Sequence, residues 1–452
     1  MGQCSSAAAA ARVAEAPPPL PRIAAPPLPP LSPAPAPAPA AAAPQTEPAP
    51  CLDGARAWVV EAVAKLNADL TRSADTHLIP VDIPSFPRVS FYLKDESVHP
   101  SGSLKHRLAR SLFLYALVNG WVREGTTVIE NSSGSTAVSE AYFAKLLGLP
   151  FVAVCPVTTS PQKLAAIRRY HGRVHHVDTA DLCAAECRRL AAHDNCHFMD
   201  QFTYAERATD YRGNNNIAVS LFAQMAREAH PEPAYVVCGA GTGGTSATLG
   251  RYVRYKGLRT CVVVADPDNS VFSSYYESGD ATLTTAGPGR IEGIGRTHVE
   301  RSFIRGAVDA MVRVPDAFSM GAVLFLEDFL GRRVGSSTGT IFCGALTMAL
   351  HMAADGLGGS IVAILCDSGE RYAGTVFSPQ WREQQGLEGA VQAAKARVAA
   401  LCCPPSGAGG AGGSGAPCGQ CPPGPMADAS DWPCATVLRR PEASPRSSSP
   451  VV

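Results

Sequence analysis

Tyr235-Val236-Val237-Cys238-Gly239-Ala240-Gly241-Thr242-Gly243-Gly244-Thr245 runs from an apolar strand into glycine and hydroxyl residues, and a helical pattern, Ser246 to Lys256, follows at once. A strand, a glycine-rich turn and a helix start, in that order, point several unbonded backbone N–H groups at one place and suit a phosphate. Other junctions share this build. Lys94-Asp95-Glu96-Ser97-Val98-His99-Pro100-Ser101-Gly102-Ser103-Leu104-Lys105-His106-Arg107 enters the helical stretch Leu108 to Asn119. Glu130-Asn131-Ser132-Ser133-Gly134-Ser135-Thr136 precedes a helix from Ala137 to Leu147, and Gly335-Ser336-Ser337-Thr338-Gly339-Thr340 precedes one from Ile341 to Met352. Continuous apolar runs at 127–129, 151–154, 235–237, 260–265 and 360–366 alternate with these helices and with Ser160 to Tyr170 and Ile217 to Glu228. That alternation predicts an α/β fold with mostly parallel sheet.

The composition sets the bounds. The chain has 452 residues, with 39 basic and 39 acidic side chains, so bulk charge gives no basis for binding nucleic acid. No apolar run is long enough for a transmembrane helix, and proline interrupts the alanine-rich start, which argues against a secretory signal. Residues 1–50 and 397–452 are rich in proline, glycine, alanine and serine and are expected to be disordered tails. The ordered part is expected over 51–396, as two lobes, the smaller at about 98–205. Cys155, Cys238, Cys343 and Cys366 lie in apolar surroundings and read as buried thiols of a reducing compartment, here the cytoplasm. Met1-Gly2-Gln3-Cys4-Ser5-Ser6 fits a pattern for lipid attachment at Gly2, with Cys4 as a second site. Cys418-Gly419-Gln420-Cys421 has metal-compatible spacing, but an unstructured tail makes no closed site, so no metal is expected.

Lys105 is one of only seven lysines in the chain, and it falls at a helix start, where the dipole and desolvation would both lower its pKa. Such an amine can attack a carbonyl; an exposed first-turn lysine is the plainer reading of the same residue. The Ser132–Thr136 hydroxyls and N–H groups form a neutral cradle suited to a carboxylate, or simply a helix cap. A dinucleotide reading also survives. Gly239, Gly241 and Gly244 have the fingerprint spacing, but the acid expected about 20 residues on is missing there, and Asp266 is the nearest candidate. A phosphate cradle, a reactive lysine and a carboxylate cradle together match pyridoxal phosphate with an amino acid substrate.

At these residues the chain resembles the cysteine synthase/cystathionine β-synthase family of fold-type II pyridoxal-phosphate enzymes, over about residues 70–385. Pro100-Ser101-Gly102-Ser103-Leu104-Lys105-His106-Arg107 is similar to the family's Pro-Ser-x-Ser-Val-Lys-Asp-Arg, and Gly241-Thr242-Gly243-Gly244-Thr245 to its phosphate loop. Gln201-Phe202, Glu292-Gly293-Ile294-Gly295 and Asp367-Ser368-Gly369-Glu370-Arg371-Tyr372 resemble further family segments. The resemblance implies a two-lobed fold, each lobe a mostly parallel sheet flanked by helices, and a homodimer. It implies that Lys105 holds the cofactor and then acts as general base, and that Gly241, Thr242, Gly243, Gly244 and Thr245 bind the phosphate. Ser337 would face the ring nitrogen, and Ser132, Ser133, Gly134, Thr136 and Gln201 would bind the substrate carboxylate.

Two departures stand out. Ser135 replaces the asparagine that contacts the cofactor's ring hydroxyl, and Tyr211-Arg212-Gly213-Asn214-Asn215-Asn216 stands where the family has His-x-x-Thr-Thr-Gly-Pro-Glu-Ile. With the long stretch from Lys94 to Arg110, both resemble a subgroup of L-cysteine desulfhydrases. That implies β-elimination on L-cysteine to sulfide, pyruvate and ammonia. A neutral hydroxyl at Ser337 favours prompt loss of a β-substituent over a long-lived carbanion. The alternatives are a β-replacing cysteine synthase, a serine/threonine dehydratase, and a non-catalytic binding protein on the same scaffold.

Overall fold

The computed structural model describes residues 54–72, 74–287, 289–403, 432–434 and 436–439. Its strands are β1 (His77–Val81), β2 (Val89–Asp95), β3 (Thr127–Asn131), β4 (Phe151–Pro156), β5 (Arg173–Val177), β6 (Cys196–Phe198), β7 (Tyr235–Gly239), β8 (Cys261–Pro267), β9 (Ala310–Val314), β10 (Gly359–Leu365) and β11 (Val437–Arg439). They form two sheets, of order β1-β2-β10-β7-β8-β9-β11 and β5-β4-β3-β6. The smaller sheet is wholly parallel. The larger is parallel from β2 to β9, with β1 and β11 antiparallel on its two edges. The α/β architecture expected from the alternation is therefore present.

Burial explains why the inner strands read as unbroken apolar runs. Val236, Val237, Val262, Val263, Val264, Ile361 and Val362 are all sealed from solvent, as strands covered on both faces must be. Helix Ser336–Ala354 lies across β7, β8 and β10 and is buried along most of its length. The chain leaves the larger sheet after β2, builds β3 to β6, and returns at β7. Parallel pairing brings the C-terminal ends of β2, β10 and β7 side by side. In open parallel sheets, ligand sites form at those ends.

The C-terminal boundary differs from expectation. Helix Glu388–Cys402 runs through residue 397, burying Val391, Ala394, Val398, Leu401 and Cys402 along one stripe. Further on, β11 pairs with β9, Trp432 packs edge-on against Phe318 at 5.4 Å, and Trp432 Nε1 donates to Thr347 Oγ1 at 2.9 Å. Proline- and glycine-dominated composition masks these few apolar anchors. Residues 1–50, with Gly2 and Cys4, and also Cys418 and Cys421, lie outside the described residues. Every cysteine among the described residues is a free thiol, and none of the described helices is long and apolar enough to cross a membrane.

Candidate active site

Lys105 is the first residue of helix Lys105–Val118. The loop before it is clamped to β10: Leu104 N–H donates to Cys366 O at 2.8 Å, and Ser103 forms a bridge with Asp367. A buried ion pair then fixes the helix start. Arg107 meets Glu96 in a fork, Nε to Oε2 at 2.6 Å and Nη2 to Oε1 at 3.0 Å, and also reaches Asp75 at 2.9 Å. Burial alone would raise the Glu96 carboxyl, but the Arg107 guanidinium outweighs it and holds the group below the usual carboxylate range. Desolvation lowers the Lys105 amine from its ordinary value, with Cys366 and Asp367 pulling weakly the other way. An amine so placed carries a larger neutral fraction than a solvated lysine.

The glycine loop stands opposite. A Cβ on Gly241 would lie 2.3 Å from Gly293 O, and one on Gly243, whose φ is +89°, would lie 2.4 Å from Phe303 Cα. Only glycine lets this turn press against the Glu292–Gly295 segment, where Gly295 N–H donates to Ala240 O at 2.8 Å. Gly243 caps helix Gly244–Lys256, whose N-terminal N–H groups open toward the turn. A cavity joins the two halves, and its wall includes Lys105, Gly241, Thr242, Gly243, Thr245 and Cys366. Burial pushes the Cys366 thiol up to about 12, and its Sγ donates to Ile364 O at 3.8 Å; Ser337 stands in the first turn of helix Ser336–Ala354.

The predicted carboxylate group assembles on the smaller sheet. β3 and β6 are neighbours, so the Ser132–Thr136 turn after β3 and Gln201 after β6 meet. Thr136 Oγ1 donates to Gln201 Oε1 at 2.7 Å, while Gln201 Nε2 turns inward to Glu130 Oε1 and Asn131 O, both at 3.4 Å. Gln201 thus braces the turn from behind. Gly134 caps helix Ser135–Leu147, and Ser132 Oγ accepts from Gly134 N–H at 3.1 Å. Ser135 takes another partner: its hydroxyl accepts from Arg371 Nη1. Among the described residues, neither this turn nor Gln201 enters the wall of the cavity beside Lys105.

The Tyr211–Asn216 segment has its own task. Asn214 and Asn215 adopt positive φ, so their carbonyls accept from Arg110 Nη2 and Arg107 Nη1, and Asn216 caps the next helix through Ala218 and Val219 N–H. Asp266, the candidate for a nucleotide ribose, is instead occupied by Ser273 N–H and Oγ at 2.9 and 2.7 Å. The sequence marks Asp367 and Arg371 as part of a family segment without giving either a role, and gives Glu130 and Glu140 no reading as parts of this framework. Charge inside an otherwise apolar strand and helix is the signal that Glu130 and Glu140 leave.

A model of pyridoxal-phosphate dependent enzymes matches residues 73–367. The chain belongs to the pyridoxal-phosphate dependent enzymes. It is 54% identical over 344 residues to L-cysteine desulfhydrase Cds1 of Mycobacterium tuberculosis, covering 75% of this chain and 94% of that protein. A putative pyridoxal-phosphate dependent protein of Caenorhabditis elegans is 29% identical over 357 residues, covering 72% and 81%. Among solved structures, O-ureido-L-serine synthase superposes with a TM-score of 0.60 at 25% identity, covering 72% of this chain and 96% of that one. As in other pyridoxal-phosphate dependent enzymes, the cofactor is pyridoxal phosphate. The residues fit it: a turn too tight for any Cβ at Gly241 and a desolvated amine at Lys105 share one cavity.

Proposed function

We propose that this chain is an L-cysteine desulfhydrase, converting L-cysteine and water to hydrogen sulfide, pyruvate and ammonia. The observation that carries the reading is the single cavity shared by Lys105 and the Gly241–Thr245 loop. The similarity to a named L-cysteine desulfhydrase over most of both chains supports the choice of substrate.

In this reading Lys105 Nζ would hold the cofactor, the N–H groups of Gly241, Thr242, Gly243, Gly244 and Thr245 would bind its phosphate, and Ser337 would face its ring nitrogen. Pyridoxal phosphate, when bound, supplies the electron sink for the pair left behind when the Cα proton departs. The turn Ser132-Ser133-Gly134, with Thr136 braced by Gln201, holds the substrate carboxylate. The Lys105 amine would take the Cα proton, and its lowered pKa suits a general base. Ser337 is a neutral hydroxyl and offers no counter-charge to a protonated ring, so loss of the β-thiol is favoured over reprotonation at carbon. Ser135, its hydroxyl held by Arg371, makes a weaker contact to the cofactor than an asparagine would. The same reading includes a homodimer and a cytoplasmic location, which light scattering of the purified chain and cell fractionation test.

The purified full chain with pyridoxal phosphate and L-cysteine should release sulfide and pyruvate in equal amounts. O-acetylserine and serine are run beside it. Borohydride reduction followed by peptide mapping should place the cofactor on Lys105, and Lys105→Ala should lose both label and turnover. Sulfide without pyruvate would indicate β-replacement, faster pyruvate from serine a dehydratase, and turnover retained in Lys105→Ala would overturn the assignment.

A further inference from the structure

Behind the carboxylate turn lies a pair of acids that no step above uses. Glu130 on β3 and Glu140 on helix Ser135–Leu147 are both sealed from solvent. Glu130 has donors: it accepts Gln201 N–H at 3.2 Å and Gln201 Nε2 at 3.4 Å. Neither oxygen of Glu140 meets one, although its carboxyl lies within hydrogen-bonding reach of Glu130. Ionised carboxylates only accept, so a bond between these two requires a proton on one of them. Two bare charges here would face no compensating cation. The other titratable groups facing the pair are Asp200, at the cap of helix Gln201–Ala208, and Cys187, on helix Cys183–Ala191 with Cys183 behind it. Each of these can add negative charge and none can add positive.

The orientation of Gln201 says where the proton sits. Its amide nitrogen faces Glu130 and its oxygen faces Thr136. Glu130 therefore has two donors to support a charge, whereas neither Glu140 oxygen has one. The proton therefore belongs on Glu140. We propose that Glu140 is a protonated positioning residue, whose hydroxyl donates to Glu130 so that Glu130 fixes the Gln201 amide and, through it, the Thr136 end of the turn that binds the substrate carboxylate. Burial raises both carboxyls, as a pair that keeps a proton requires. The part of this that concerns substrate rests on the function proposed above; the shared proton does not.

Two variants test it on the cofactor-loaded full chain. Glu140→Gln keeps a donor toward Glu130 but cannot titrate. Glu140→Leu removes the donor. The native pair keeps a proton that an unfolded glutamate releases near 4.5, so it costs stability increasingly as pH rises from there. The thermal midpoint of Glu140→Gln relative to wild type should thus climb between pH 5 and 8, and a constant difference over that range would overturn the shared proton. For cysteine, Glu140→Leu should raise KM about fivefold, the value of one hydrogen bond, with kcat within about twofold. Glu140→Gln should return KM to near wild type. At alkaline pH, as the pair loses its proton, the wild-type KM should rise relative to that of Glu140→Gln, a ratio from which the titration of cysteine itself cancels. An unchanged KM in Glu140→Leu, or a loss confined to kcat, would overturn the positioning role. If the wild-type chain does not turn over cysteine, the proposed function fails, while the thermal comparison still decides the pair.

Discussion

Arg107→Met is the perturbation whose cost can be reasoned most directly. Glu96 is fully buried, and Arg107 is the cation that meets both its oxygens; His99 Nε2 lies 2.9 Å from Oε2 on the outer side. Removing the guanidinium leaves a buried carboxylate with a histidine and the Thr76 hydroxyl as its remaining partners. Breaking a buried pair from one side costs about 3–5 kcal/mol, most of it the uncompensated charge. Arg107→Lys keeps the charge without the fork and should cost less than half of that. Equilibrium denaturation at pH 7, comparing the three proteins at matched slope, reads this out.

The pH dependence supplies a second test. The Glu96 pKa is depressed in the folded chain, so the stability it contributes is present above the unfolded value of 4.5 and is lost as pH falls below it. In Arg107→Met the unpaired carboxyl shifts upward instead and takes a proton as the solution is acidified. The gap between variant and wild type should therefore be widest near neutrality and narrow steadily toward pH 4.5. A gap under about 1 kcal/mol at pH 7, or one that widens on acidification, would refute the reasoning. Because Arg107 lies two residues beyond Lys105 on the same helix start, the variant should also release pyridoxal phosphate faster.

Three other outcomes follow from single contacts. Gly241→Ala places a Cβ 2.3 Å from a backbone oxygen, so the glycine turn and the Gly293 segment must part, and a fluorescence titration should show cofactor affinity reduced by about tenfold or more. Trp432→Ala should undock the C-terminal stretch, seen as loss of hydrogen-exchange protection at Val437–Arg439 and the β9 edge, with little change in the global midpoint. Lys94 is buried, bonded to Thr76 O and Gln224 Oε1, and desolvation lowers it to about 8. Its charge costs stability fully below pH 8 and progressively less up to 10.5, so Lys94→Met should gain on wild type at neutral pH and lose that advantage across this interval in denaturation curves.

Much of this molecule is legible in its sequence, for a physical reason. Strands buried on both faces must be continuously apolar, and helices between them must follow closely, so β3, β4, β7, β8 and β10 stand out from their residues alone. The edge strands do not. β1 reads His-Leu-Ile-Pro-Val and β11 is three residues long, because an edge has one neighbour and needs less apolar sequence to hold it. The Lys105 and glycine-loop junctions are equally plain, since a phosphate cradle needs glycine where backbone must approach backbone. Glu130 and Glu140 are not, because their partnership is between a strand and a helix that sequence spacing does not join. Nothing in either local pattern says that two acids meet in the core.

The two departures from the family pattern make sense as one adjustment. Where the family pattern has an asparagine, Ser135 stands, and Arg371 extends from the Asp367–Tyr372 segment to donate to its hydroxyl. Asp367 is buried, accepts the Tyr372 hydroxyl at 2.7 Å, and is bridged to Ser103 beside Lys105. The chain therefore has a charged link from the turn after β3 to the segment bridged to the Lys105 loop. On the other side, Asn214 and Asn215 turn their carbonyls to Arg110 and Arg107, binding the same helix start from below. Both segments thus fix the protein to itself around Lys105. An enzyme whose reaction ends with the loss of a small leaving group, with no second substrate to admit, can carry such bracing where a β-replacing relative must keep space for an incoming nucleophile. Arg371→Met should then loosen the smaller lobe and shift product ratios toward β-replacement when an added thiol competes with elimination. Unchanged ratios, with sulfide and pyruvate still equal, would detach the bracing from the choice of reaction.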